Sequence, residues 1–141
     1  MRRWRHWFAA LLVVAGLWAL VGWVRARAEA APRLVVAETV WDFGEIGPRA
    51  VSHSFAFRNA GSAPLRLRAE SYCSCTSVLL DRQVVAPGGT ATVIVSFDPV
   101  AITTWQGPFE QEVLVLTNDP VQKDFRLTIK ANVVPAWGSH P

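Results

Sequence analysis

Val51-Ser52-His53-Ser54-Phe55-Ala56-Phe57-Arg58 sets Val51, His53, Phe55 and Phe57 on one side of an extended chain and Ser52, Ser54, Ala56 and Arg58 on the other. Side chains two apart share a face of a strand, so this octet reads as a half-buried β-strand. Asn59-Ala60-Gly61-Ser62 then turns the chain. The same pattern recurs downstream. Leu65 and Leu67 alternate with Arg66 and Arg68 in a segment running towards Tyr72, and a short segment follows around Ser77–Leu80. After Pro87-Gly88-Gly89, Ala91, Val93, Val95 and Phe97 alternate with Thr92, Ile94 and Ser96 until Asp98-Pro99 stops them. Phe109–Thr117 holds the continuous run Val113-Leu114-Val115-Leu116, expected of a central strand covered on both sides. Asn118-Asp119-Pro120 makes a turn, and Phe125, Leu127, Ile129, Ala131 and Val133 mark the last strand. Upstream, Leu34–Val40 is a β-branched run closed by Gly44–Pro48. With no amphipathic helical window, about seven short strands predict an all-β fold. The expected architecture is a single seven-stranded antiparallel immunoglobulin-like sandwich over residues 31–137, with a tail at 138–141. The Cys…Trp…Cys spacing of antibody-type domains is missing, so no inter-sheet disulfide is expected.

Before residue 30 the character of the chain is different. Trp7–Val24 is an uncharged apolar stretch of 18 residues, preceded by Arg2, Arg3 and Arg5 and followed by Arg25 and Arg27. This reads as an export signal, with residues 1–30 a signal peptide or a single-pass membrane anchor. Its length is near the lower limit for spanning a bilayer, and Trp4, Trp7 and Trp23 sit where interfacial aromatic belts fall. Ala26-Arg27-Ala28 and Ala28-Glu29-Ala30 also have the small-x-small pattern of a cleavage site. The stronger arginine cluster precedes the stretch, which orients the N-terminus inside and the domain outside. No cysteine follows the stretch until Cys73, so a lipoprotein is not expected. The expected location is thus the cell envelope, on the outer side of the inner membrane, anchored through residues 7–24 or secreted.

The charge totals need the same division. Five of the 14 Lys and Arg residues and one of the 11 acidic residues, Glu29, fall within residues 1–30, leaving nine basic and ten acidic residues. The pI of about 9.4 therefore belongs to the topology signal. It does not argue for nucleic-acid binding, and the basic residues form no stripe interleaved with aromatics.

Several blocks occur in a telling order. They are Trp41-Asp42-Phe43-Gly44, Ser54-Phe55-Ala56-Phe57-Arg58-Asn59-Ala60-Gly61, Pro64-Leu65, Cys73-Ser74-Cys75-Thr76, Ala86-Pro87-Gly88-Gly89, Phe97-Asp98 and Thr117-Asn118-Asp119-Pro120. Together they resemble a large bacterial family of exported domains of unknown function marked by a Cys-Gly-Cys-Thr motif. That family is similar to the immunoglobulin-like Hydin-type (ASH) and major-sperm-protein domains. The resemblance covers roughly residues 34–134 and implies an immunoglobulin-like fold, with no known activity attached. Ser74 stands where the family usually has glycine.

Cys73-Ser74-Cys75 is the one constellation with a chemical argument behind it. In a flat strand the two Cα atoms would lie about 6.6 Å apart, at the far edge of disulfide geometry, so an unstrained bridge needs a turn at Ser74. Three readings follow: a structural clasp or pair of buried thiols, a pair of ligands for a soft cation such as Cu(I), or an exchanging redox pair. Zn(II) would need more ligands than the nearby sequence offers. His53 is a candidate third ligand, or a group that lowers a thiol pKa; the plainer expectation is a half-covered, hydrogen-bonded ring at a strand rim. Among Trp41, Trp105 and Trp137, Trp41 is expected in the core, and Trp105, in the least regular loop, is the candidate partner contact.

Glu110 and Glu112 share a strand face in the manner of solvated positions, and no phosphate loop, nucleophile elbow or histidine–carboxylate cluster appears. The expected function is that of a non-catalytic, exported interaction module that binds another envelope protein and no nucleic acid, with no cofactor. The alternative is a copper-handling or thiol–disulfide protein using Cys73 and Cys75.

Overall fold

The computed structural model describes residues 16, 18, 30–102 and 106–135. Nine strands lie among them: β1 (Leu34–Val36), β2 (Val40–Ile46), β3 (Val51–Asn59), β4 (Leu65–Ser71), β5 (Thr76–Leu80), β6 (Val84–Val85), β7 (Thr90–Phe97), β8 (Gly107–Thr117) and β9 (Asp124–Val133). A 3₁₀ turn at Pro99–Ile102 follows β7. The strands form two packed sheets, ordered β1-β3-β7-β5 and β2-β9-β8-β4-β6.

The period-two pattern is realised directly. In β3, Phe55 and Phe57 are buried while Ser54, Ala56 and Arg58 are exposed; in β7, Ala91, Val93, Val95 and Phe97 are buried. From the facing sheet come Leu65, Leu67, Val113, Val115, Leu127, Ile129, Ala131 and Val133. Phe97 stacks on Phe109 with ring centroids 4.0 Å apart, and Phe57 meets Phe125 edge-on at 5.5 Å. Each large apolar side chain fully buried here stabilises the fold by about 1.5–3 kcal/mol. The run Val113–Leu116 divides: Val113 and Val115 are fully buried, whereas Leu114 and Leu116 are only half covered. The outer face of β8 is therefore open to solvent.

At one end of the sandwich the loops are fastened by polar side chains, one buried and one at the surface. Asn59, with no exposed surface, donates through Nδ2 to the carbonyls of Ala63 (2.8 Å) and Val85 (3.0 Å). Its Oδ1 accepts from the N–H groups of Arg33 and Gly61. Asn118 accepts from the Arg66 N–H at 2.7 Å and donates to the Pro64 carbonyl at 3.1 Å. Gly61 is glycine because the chain crosses it closely: a Cβ there would collide with the backbone of Ala31 and Arg33.

The strand count and the pairing differ from the sequence expectation. Leu34–Val40 is not one strand. Val36 ends β1 in the four-stranded sheet, the chain bends through Ala37–Thr39, and Val40 begins β2 in the other sheet. Both halves are β-branched, so periodicity cannot reveal a change of partner. Val84-Val85 adds a ninth, two-residue strand on β4. The sandwich is also mixed, because β2 runs parallel to β9, with Trp41 opposite Ile129. Gly107 and Pro108, ahead of the expected start at Phe109, already belong to β8. Among the described residues no helix is long and apolar enough to cross a membrane. The leader segment 7–24, Trp105, Trp137 and the tail 138–141 lie outside the described residues.

Candidate functional site

Cys73 and Cys75 are joined in a disulfide. The chain turns at Ser74 and Cys75, closed by a bond from the Thr76 N–H to the Cys73 carbonyl at 3.1 Å. The turn draws the Cα atoms to 5.2 Å, inside the range a bridge needs. The two cysteines are unequal. Cys75 is 2% exposed and belongs to the core, whereas Cys73 is half-buried between exposed Tyr72 and Ser74. The Cys75 N–H points at Cys73 Sγ from 3.2 Å, and the Thr76 hydroxyl lies 3.6 Å from Cys75 Sγ. In the joined state neither sulfur is a thiolate, so binding of Cu(I) would first require reduction of the bridge.

His53 has other neighbours. Its ring stacks on Trp41 (centroids 3.8 Å, planes 5° apart), meets Phe55 edge-on, and its Nε2 lies 3.0 Å from Glu38. This is the half-covered, hydrogen-bonded ring of the plainer expectation. Trp41 is half-buried and packs against the core. Among the described residues no group of three His, Cys, Asp or Glu side chains is placed to hold a metal ion.

The outer faces of the two sheets contrast. On the five-stranded sheet three carboxylates are in ion pairs: Glu70 with Arg68 at 2.7 Å, Glu110 with Lys130 at 3.3 Å, and Glu112 with Arg126. A depression of about 380 Å³ lies on this sheet, lined by Asp42, Glu45, Phe109, Glu110, Lys130 and Asn132 among others. The four-stranded sheet instead presents Ser52, Ser54, Ala56, Ser77, Leu79, Ile94 and Ser96, with Leu79 64% exposed and Arg58 at the far end of β3.

Beyond Arg58 this face carries no charge as far as its edge at β5, whose far side is unpaired among the described residues. Bonds from the Asp98 N–H to the Cys75 carbonyl (2.8 Å) and from the Asp81 N–H to the Thr92 carbonyl (3.1 Å) fix the register. Cys75, Ser77, Leu79 and Asp81 thus face β7 with their backbone groups, and those of Val78 and Leu80 point to the open side. Sheet edges are ordinarily blunted by charges, prolines, bulges or extreme shortness. β1 and β6 are short and β2 carries acids and a bulge, but Thr76–Leu80 has none of these devices. Sequence reading missed this edge, because β5 showed only as a short segment without partners.

The sequence blocks now have positions. Asn59 and Asn118 tie the loops at one end, and Asp119, 3% exposed, accepts N–H bonds from Leu34 (2.7 Å), Val121 (2.8 Å) and Gln122 (3.3 Å). Cys73–Thr76 forms the turn into β5. Over residues 34–133 the chain matches the family described as protein of unknown function, DUF1573. The chain belongs to the DUF1573 family. Among solved structures it is similar to a protein of unknown function from Porphyromonas gingivalis W83, with a TM-score of 0.68 and 24% identity. The match covers 74% of this chain and 48% of that one, so the chain spans about half the length of that relative. It is also similar to the ASH / PapD-like domain 7 of human CEP192, with a TM-score of 0.59 and 10% identity, covering 76% and 89% of the two chains. A third likeness, to the VesB protease of Vibrio cholerae, has a TM-score of 0.53 and 17% identity and covers 79% of this chain but 34% of that one. At such identities these likenesses show the fold alone, and the ASH-type domain bears out the resemblance seen in the sequence. No curated protein matches the chain.

Proposed function

We propose that this DUF1573 domain is a non-catalytic, exported module of the cell envelope that binds an extended, uncharged segment of another envelope protein along β5. The observation that carries the reading is the unprotected edge of β5. It offers the N–H and C=O groups of Val78 and Leu80 beside a face of serines, Leu79 and Ile94. An added strand gains main-chain hydrogen bonds there, and side chains of alternate residues meet the uncharged surface. Beside Thr76–Leu80 the face carries no charged side chain, Arg58 lying past the end of β5, which favours a neutral segment, since a charged one would lose hydration without gaining a partner. Export, and anchoring through residues 7–24, rest on the apolar stretch and its flanking arginines.

Photo-crosslinking in the native envelope tests the reading. A benzoylphenylalanine at Leu79 is expected to give a discrete protein adduct, while one at Thr128, on the outer face of the opposite sheet, gives none. Val78→Pro removes an outward N–H without touching the ladder to β7, and it should abolish the adduct. Equal adducts from both positions, or an adduct indifferent to Val78→Pro, would overturn the proposal.

A further inference from the structure

The bridge between Cys73 and Cys75 adds little that its surroundings do not already provide. Its turn is closed by the Thr76–Cys73 backbone bond, and its end is pinned to β7 by the Asp98–Cys75 bond. A cross-link with one residue between its ends restricts the unfolded chain far less than one closing a long loop. Among the described residues the buried apolar core runs from Leu34 to Val133 through both sheets and is large enough to fold without it. A weak staple in so short a loop, with one cysteine half-buried and the other enclosed in the core, is arranged for chemistry rather than for stability.

We propose that Cys73–Cys75 is an exchangeable disulfide, attacked only at Cys73, and that its co-substrate is a thiol, in the envelope a dithiol protein. This goes beyond the binding role of β5 and can stand or fall separately from it. In the first step an external thiolate forms a bond to Cys73 Sγ and the Cys73–Cys75 bond breaks. The electron pair leaves on Cys75 Sγ, where the Thr76 hydroxyl can donate to it, and that sulfur then takes up a proton. In the second step the other thiol of the dithiol, deprotonated, attacks its own sulfur in the mixed disulfide. Cys73 departs as a thiolate, held by the Cys75 N–H, and is protonated. The dithiol ends as a disulfide, and Cys73 and Cys75 end as thiols. Two electrons and two protons have been transferred. Burial protects Cys75 from direct attack and sets it as the resolving group in the reverse direction.

The test uses the oxidised full-length protein and reduced glutathione, with acid quenching and peptide mapping by mass spectrometry. The expected result is glutathione on Cys73 and a free thiol on Cys75 in the folded protein. Two variants give an independent readout. A bulky maleimide should label Cys75→Ser, through Cys73, whereas labelling of Cys73→Ser should be lost until denaturant is added. Circular dichroism establishes that each variant is folded; if one is not, the wild-type mapping alone decides. Adducts on Cys75, adducts shared equally, or a bridge that glutathione opens only in denaturant would overturn the proposal.

Discussion

Asp119 keeps its charge inside the loop end of the sandwich. Burial works against the ionised form, yet the N–H groups of Leu34, Val121 and Gln122, helped by the nearby Arg33, outweigh it and hold the carboxyl below the ordinary carboxylate range. A group whose pKa is depressed on folding stabilises the fold above its unfolded value, and this contribution is lost as the pH falls through the folded value. Asp119→Asn should therefore cost about 1–3 kcal/mol at neutral pH, by weakening one buried and two partly buried hydrogen bonds. The gap between variant and wild type should narrow as the pH drops below about 4. Urea unfolding at several pH values measures it, and a gap independent of pH would show that the charge plays no part. In the sequence Asn118-Asp119-Pro120 read only as a turn. A turn motif says where the chain reverses, and nothing in it says that Leu34, 85 positions away, will bring an N–H to the carboxylate.

At the scale of the element, β2 shows how one glycine shapes a strand. Asp42 pairs with Lys130 and Glu45 with Asn132, so two residues of β2, Phe43 and Gly44, face one of β9. This is a bulge, and Gly44 sits in it at φ 66° with its N–H on Asp42 Oδ1 at 2.8 Å. No atom stands within 4 Å of where a Cβ would be, so the constraint is conformational and not steric. Gly44→Val should cost about 1–2 kcal/mol, and Gly44→Asn distinctly less, because asparagine tolerates this left-handed conformation. Thermal unfolding separates the two; equal costs would mean that the bulge relaxes. The same element marks a limit of the sequence reading. Alternation located the long strands, such as Val51–Arg58 and Ala91–Phe97, because one buried face imposes a period of two. It could not divide Leu34–Val40, where Glu38 and Thr39 mark the crossing between sheets without a proline or glycine to break the run, nor detect a strand as short as Val84-Val85.

For the whole molecule, the sandwich was legible and its surface was not. Which apolar residues turn inward follows from pattern alone. Which edge is left open follows from strand order, and β5 becomes an edge only when β7 and the chain reversal at Cys73–Thr76 are placed. The disulfide was an open alternative, because the deciding fact, a turn at Ser74, is conformational. The parallel pairing of β2 with β9 carries a mechanical consequence. Ala31 enters beside the Asn59–Ala63 loop, at the end where β9 starts, and Val133 leaves from the opposite end, roughly 30 Å away along a ten-residue strand. Tension applied between those two points would load the β2–β9 bonds in shear, all together, instead of peeling them one by one. Single-molecule pulling from residues 31 and 134 should thus show one high-force rupture, and unfolding in several small steps would contradict it. A pull between these two points would be met by the whole β2–β9 ladder at once.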